Sequence, residues 1–419
     1  MSTTTGGNRS SDEAVAVDLA GVTSPVPERP STPDVADHVE GAPRELDRLA
    51  MAVVLAMVAV FGLAQGLTYP LLSFILERQG TPAWLIGTNA AMMALGLILS
   101  APLVPQLALR FGAARLAIAS ALLLAVLFAL IGTVQSLWLW FPARFLLGAG
   151  INGLYIASET WVNQLAPDRI RGRLLGLYAT ALAGGFALGP ATLAVTGTQT
   201  LTPFFLCIGV TLVCAMLIAA IRHRLPTFAA GETGSIRVVA PLIPFLLAVT
   251  AIAAAFDQAI LTLFPVYGLG HGLSEAAIAT ALAVLIVGNI LFQVPIGTLA
   301  DRWGPRQVMV VLCLLTISGA ALLPMLIDTR WPLWAMLFIW GSSAYGVYTI
   351  ALMELGRRFS GAMLIAGNAG FAAMWGVGGF LGPALSGLAI DMIGAFGLPL
   401  LLGSVYVVLL VLTLARRSA

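Results

Sequence analysis

Residues 297–307 read GTLADRWGPRQ and stand between two long apolar runs. The stretch gathers Asp301, Arg302 and Arg306 in a chain of 419 residues that is 59% hydrophobic and only 10% charged. A looser copy, PQLALRFGAAR, lies at 105–115. It keeps Leu107, Ala108, Arg110 and Gly112 and carries Arg115 further on, but has Leu109 where the second copy has Asp301. A charged, glycine-containing turn written twice implies a chain built twice. The missing acid implies that the two copies do unequal work.

The surroundings of the two turns fix the class. A soluble domain carries about 25% charged residues. A solvated surface cannot be built from so few charges, so most of the chain must face lipid or other helices. From Leu49 onward twelve apolar segments reach spanning length: 49–76, 82–106, 113–134, 137–163, 172–196, 202–222, 240–268, 275–299, 307–327, 332–355, 362–390 and 395–415. A span needs about 20 apolar residues, and an open sheet edge cannot face lipid, so the spans are predicted to be helices. Residues 1–48 are different: polar, Pro-containing and acidic, with no apolar run, they read as a disordered cytoplasmic tail rather than a signal peptide.

All 21 basic residues are Arg. A Walker A loop or a Schiff base would need Lys, so both chemistries are excluded. With the N-terminus inside, fourteen Arg fall on inward loops and the C-terminal tail, and only Arg78 and Arg330 fall on outward loops. That asymmetry predicts both termini on the cytoplasmic side. Cys207, Cys214 and Cys313 lie in apolar helices and read as packing residues. Neither H-E-x-x-H nor G-x-S-x-G occurs, and His38, His223 and His271 are widely spread, so neither enzyme chemistry nor a metal site is expected.

The repeat extends past the turn. At a shift of 193 residues Gly148, Gly153, Tyr155, Gly185, Gly189 and Pro190 fall on Gly341, Gly346, Tyr348, Gly378, Gly382 and Pro383, and Gln65 falls on Gln258. The turn itself matches at a shift of 192. This divides the chain into halves of six helices, 49–222 and 240–419, joined by a linker at 223–239. Parallel repeats of this kind are one plan of secondary transporters, with the substrate near the midplane between the halves.

The pattern G-x-L-A-D-R-x-G-x-R, filled by Gly297, Asp301, Arg302, Gly304 and Arg306 between the second and third helices of a half, resembles the signature loop of the major facilitator superfamily. The resemblance covers 49–419 and implies an all-α integral membrane fold of twelve helices in two six-helix halves. It further implies a latch that closes the cytoplasmic side while the protein faces outward. Gly297 would let two helices approach. Asp301 would sit against the positive start of the fifth helix near Arg171. Arg302 and Arg306 would pair with acids at nearby helix ends, with Glu354 and Glu159 as candidates. The first copy could offer only Arg110 and Arg115. RFLLGAG (144–150) resembles the fourth-helix motif in which Arg144 is linked to proton transfer. GGFALGP (184–190) resembles, through Gly185, Gly189 and Pro190, a fifth-helix motif found mostly in antiporters. SETWVNQLAPDRIRGRLLGLY (158–178) resembles a bacterial branch that brings no substrate with it.

Asp257 lies about 17 residues into the seventh span, near mid-bilayer at ~1.5 Å per residue. An intramembrane acid is a functional candidate by default. Asp257 and Arg144 are therefore the expected proton-coupling pair. Asp391, at an outer helix end, reads as solvated. Gln65, Tyr69, Asn152, Tyr155, Gln258, Asn289, Gln293, Tyr345, Tyr348, Asn368 and Trp375 sit on helices expected to face a cavity, many of them three or four residues apart. A mixed aromatic and amide lining suits a neutral or monocationic amphipathic molecule. The expectation is thus a proton-coupled exporter in a bacterial inner membrane. Its partners are a small-molecule substrate, protons and the lipid bilayer, with no cofactor and no nucleic acid, and it acts as a monomer. Uptake by proton symport is the alternative, and a non-transporting receptor or membrane enzyme a remote one.

Overall fold

The computed structural model describes residues 47–227 and 236–416. The tail assigned to 1–48, apart from its last two residues, and the centre of the linker lie outside the described residues.

The described chain is helical and contains no strand. In order it forms α1 (Arg48–Arg78), α2 (Ala83–Ser100), α3 (Leu103–Phe111), α4 (Ala113–Thr133), α5 (Leu137–Leu165), α6 (Arg171–Thr196), α7 (Thr202–Ile221), the short α8 (Ile236–Val239), α9 (Pro244–Gly270), α10 (Glu275–Trp303), α11 (Pro305–Leu326), α12 (Arg330–Arg358), α13 (Gly361–Ile393) and α14 (Gly397–Ala415). The predicted second span divides into α2 and α3 because Pro102 has no N–H to continue the ladder. With α8 set aside, the remaining helices match the twelve predicted spans. Ten segments are long and apolar enough to cross a membrane by length and composition alone. That number counts α13 and α14 together and omits α5, whose apolar character is diluted by Arg144, Asn152 and Glu159.

Packing repeats as the sequence does. In the first half α1 lies against α6, α2 against α5 and α4 against α7; in the second, α9 lies against α13, α10 against α12 and α11 against α14. Small residues permit these approaches. A Cβ at Gly189 would lie 2.2 Å from the Gly66 carbonyl carbon, and one at Gly382 would lie 2.3 Å from the Ala255 oxygen. The two signature turns also share one backbone shape. Gly112 has φ 92° and ψ 136°, and Gly304 has φ 91° and ψ 144°. Only glycine adopts that region readily, so both copies keep it.

The bundle has an Arg-rich face, where α1 begins, α14 ends and the two turns lie, and an opposite face. At the Arg-rich face Asp47 caps α1 through the N–H groups of Leu49 and Ala50 and pairs with Arg224. The Ala50 bond, foremost, holds its carboxyl below the usual range. At the opposite face the halves are tied together. Arg78 at the end of α1 binds Thr198 (Nη1–Oγ1 2.7 Å) and Glu275 at the start of α10, and Thr198 also bonds Glu275. Asp391 on α13 accepts from the N–H groups of Ala83 (3.1 Å) and Trp84 (2.8 Å). It thereby caps α2, whose own N-cap, Pro82, has no side-chain acceptor. Asp391 is exposed, as expected, and serves in addition as this cap. Across the halves α2 meets α13, α6 meets α10 and α1 meets α9.

Candidate functional site

The second half builds its acid into an aromatic frame. The Phe256 ring meets Trp340, Tyr345 and Tyr406 edge-on, with centroids 5.0, 5.9 and 6.0 Å away. The Tyr406 hydroxyl anchors to the Ala344 carbonyl at 2.7 Å, and the Trp340 indole to the Thr316 carbonyl at 2.8 Å. This frame fixes Tyr345, whose hydroxyl donates to Asp257 Oδ1. Gln258 Nε2 donates to the other oxygen at 2.6 Å. Asp257 is 2% exposed, with both oxygens engaged. Tyr69, on α1 of the other half, lies within electrostatic reach of both Asp257 and Arg144.

Arg144 is treated otherwise. It is 0% exposed, its guanidinium carbon lies 5.6 Å from the Tyr69 ring centre, and none of its three nitrogens has a hydrogen-bond partner. It is not bonded to Asp257; the Tyr69 ring is what both groups share. Gln65 is buried one turn from Tyr69.

A second group gathers nearer the Arg-rich face. Tyr155 lies tilted against Phe61 (5.0 Å) in the first half, and Tyr348 meets Trp375 (5.0 Å) and Phe371 (6.1 Å) in the second. Tyr155 and Tyr348 are within electrostatic reach of each other, and Glu159 of Tyr155, Tyr178 and Tyr348. Tyr178 is held by Ser158 at 2.9 Å. Glu159, expected in the latch, stands here among tyrosines of both halves. Its signal in the sequence is that it lies four residues beyond Tyr155, on the same helix face.

The remaining candidates separate. Asn152 is a helix–helix tie rather than a cavity residue, its Nδ2 donating to the Leu97 carbonyl (3.1 Å) and Ser100 Oγ (2.9 Å) on α2. Gln293 donates to Asn289 on its own helix at 3.3 Å, and Asn368 is exposed on α13. Gly185 packs on α1, where a Cβ would lie 2.1 Å from the Ala59 oxygen, and Pro190 is buried beside Gly189. Gly297 has open space beside it. Asp301 pairs with Arg357 at 2.7 Å, and the first residue before α6 provides no side-chain cap. Glu354 pairs with Arg358 (2.8 Å) and Arg416 (2.9 Å), not with Arg302 or Arg306. Arg306 donates instead to the carbonyls of Thr413 and Leu414 at the end of α14. Arg110 lies over Phe111, and Arg115 and Arg302 are exposed. Among the described residues no group of acids, His and Cys could hold a metal.

A membrane-spanning bundle of repeated halves with buried, facing polar groups defines a secondary transporter. The model of the Major Facilitator Superfamily matches residues 54–363 and 246–419, and the chain belongs to that family. It is 26% identical over 350 residues to the MFS-type transporter YfkF of Bacillus subtilis (strain 168), covering 82% of this chain and 89% of that one. It is 25% identical over 341 residues to the MFS-type transporter YcaD of Shigella flexneri, covering 81% and 88%. Among solved structures it resembles the nucleoside transporter NupG (TM-score 0.72, 12% identity, 88% of this chain and 98% of that one). It also resembles a D-xylose–proton symporter (TM-score 0.69, 16% identity, 89% and 98%). The protein is a multi-pass membrane transporter and not an enzyme.

Proposed function

We propose that this protein is a proton-coupled secondary transporter that exports a small organic molecule across a bacterial inner membrane by alternating access. The observation that carries the proposal is Asp257: an acid in the middle of a membrane helix, held by Tyr345 and Gln258 and within electrostatic reach of Tyr69 of the other half. A carboxyl there can take up a proton in one conformation and release it in the other. The Arg-rich face is the cytoplasmic one, with both termini inside. The conformation is open to the cytoplasm. Its ties between the halves, Arg78–Glu275–Thr198 and Asp391 on α2, lie at the opposite face, whereas the ion pair Asp47–Arg224 joins the tail to the linker and the pairs Asp301–Arg357 and Glu354–Arg416 stay within the second half. The latch expected of Asp301 belongs to the other conformation. The substrate enters between the halves past Tyr155, Tyr348, Trp375 and Glu159, a rim that suits a neutral or monocationic amphipathic molecule. The repeated small-residue packing of Gly185, Gly189 and Pro190 favours export through the antiporter resemblance, and a single chain contains the whole site, so the monomer is the working unit.

The test is flux of a compound panel in inside-out vesicles. Export by exchange predicts accumulation inside such vesicles when their lumen is acid, abolished by a protonophore. Accumulation that ignores the proton gradient would contradict it.

A further inference from the structure

The register of α5 on α2 sets two buried residues with unsatisfied side chains at one level. Asn152 reaches Leu97, and a Cβ at Gly148 would lie 2.0 Å from the Met93 oxygen; both pairs are 55 residues apart. The same spacing brings Arg144 level with Asn89. Residues 144, 148 and 152, and 89, 93 and 97, each recur every four positions and so form facing stripes. Asn89 is 0% exposed, and neither its Oδ1 nor its Nδ2 has a partner. Buried polar groups are bonded in more than about 90% of cases, so two orphans at one level of adjoining helices, one of them charged, need a cause.

No carboxylate of the described protein supplies it. Asp257 is engaged by Tyr345 and Gln258. Glu159 lies fifteen residues further along α5, roughly 22 Å away at ~1.5 Å per residue. The guanidinium fork, the amide N–H groups of Asn89 and the Tyr69 hydroxyl can all donate, with Asn89 Oδ1 the one acceptor of Asn89, and the Tyr69 ring steadies the guanidinium through its face. Such a set is matched by two or more oxygens bearing negative charge. The three groups come from α1, α2 and α5 in the bundle interior. They lie at the depth where Gly87 on α2 meets Pro383 on α13.

We propose that Arg144, Asn89 and Tyr69 form a subsite for an anionic group, a carboxylate or a phosphate-like oxyanion. It rests on the reading of the protein as a transporter but not on Asp257 carrying the proton. The anion is either an acid group of the transported molecule or a free inorganic anion bound beside it. In the first case a molecule bearing both an acid and a cationic group would span from Arg144 to the tyrosine rim at Glu159.

The experiment uses the full chain in nanodiscs in a zwitterionic low-salt buffer, with binding read by thermal stabilisation and tryptophan fluorescence. Benzoate, benzamide and benzylammonium share a shape and differ in charge. Benzoate should bind about tenfold or more tightly than the other two. Arg144→Gln should remove that preference, and Asn89→Leu should weaken benzoate binding about threefold to tenfold. Asp257→Asn should bind benzoate as the wild type does while losing proton-driven flux, so the two readings fail separately. If chloride or phosphate competes with benzoate, the source is a free anion; if neither does, it is an acid group of the substrate. The proposal is overturned if no anion binds more tightly than benzamide, or if benzoate binds Arg144→Gln and Asn89→Leu undiminished. Should Arg144→Gln fail to fold, Asn89→Leu and Tyr69→Phe, which keeps the ring and loses the hydroxyl, decide the question by the same readout.

Discussion

Asp257 and Arg144 are both buried charged residues, one in each half, and Tyr69 is electrostatically coupled to both. The surroundings treat them in opposite ways. Asp257 has a donor on each oxygen, supplied by Gln258 beside it and by Tyr345 within an aromatic frame. Arg144 has one ring face and no hydrogen bond. A buried acid can be neutralised by a proton, although the donors on its oxygens favour the charged form. A buried guanidinium stays charged and must find its counter-charge elsewhere. On the proposals above, the difference gives the proton to the second half and a ligand to the first.

The sharpest way to break that division is at Arg144. Arg144→Lys keeps the charge and loses the fork, so transport should fall about tenfold in vesicle flux, and equal activity would mean that only charge matters there. Next comes Tyr345→Phe, which removes one charge-assisted bond and should slow proton-driven flux roughly threefold to tenfold while leaving substrate binding unchanged. A change in binding alone would place Tyr345 in the substrate site instead. Arg78→Ala cuts a partly exposed tie, a change of about 0.3–1 kcal/mol. It should shift distances between labels on the opposite face toward separation, and an unchanged distribution would remove this tie from the mechanism. Smallest is Asp301→Asn. The acid is 62% exposed in its pair with Arg357. As a helix cap in the other conformation it is worth about 0.3–1 kcal/mol, so the variant should move the same equilibrium severalfold at most toward the conformation described here.

The fold was legible because membrane constraints are written in long runs: apolar length gives the spans and repeated glycines the halves. The site was legible only in part. The acid at Asp257 could be placed by depth alone. Asn152 could not, since a polar residue on an interior face reads alike whether it lines a cavity or bonds the next helix, and only the register against Leu97 and Ser100 decides. Asn89 passed unnoticed within an apolar run for the same reason: its meaning lies in what Arg144 lacks. Glu159 was drawn toward the Arg-rich loops by proximity in sequence, whereas the fold sets it among Tyr155, Tyr178 and Tyr348. The unequal turns were read from a single missing acid. In this conformation Asp301 and Glu354 both bind Arg residues of their own half, so on the proposed account the inequality acts when the Arg-rich face closes.

The central claim is that Asp257 carries the coupled proton, and Asp257→Asn in proteoliposomes tests it most directly. Uphill transport driven by a pH gradient and downhill exchange of substrate would be measured on the same preparation. The account predicts that the variant folds, exchanges substrate downhill and does not respond to the gradient at all. Full gradient-driven accumulation by Asp257→Asn would contradict it.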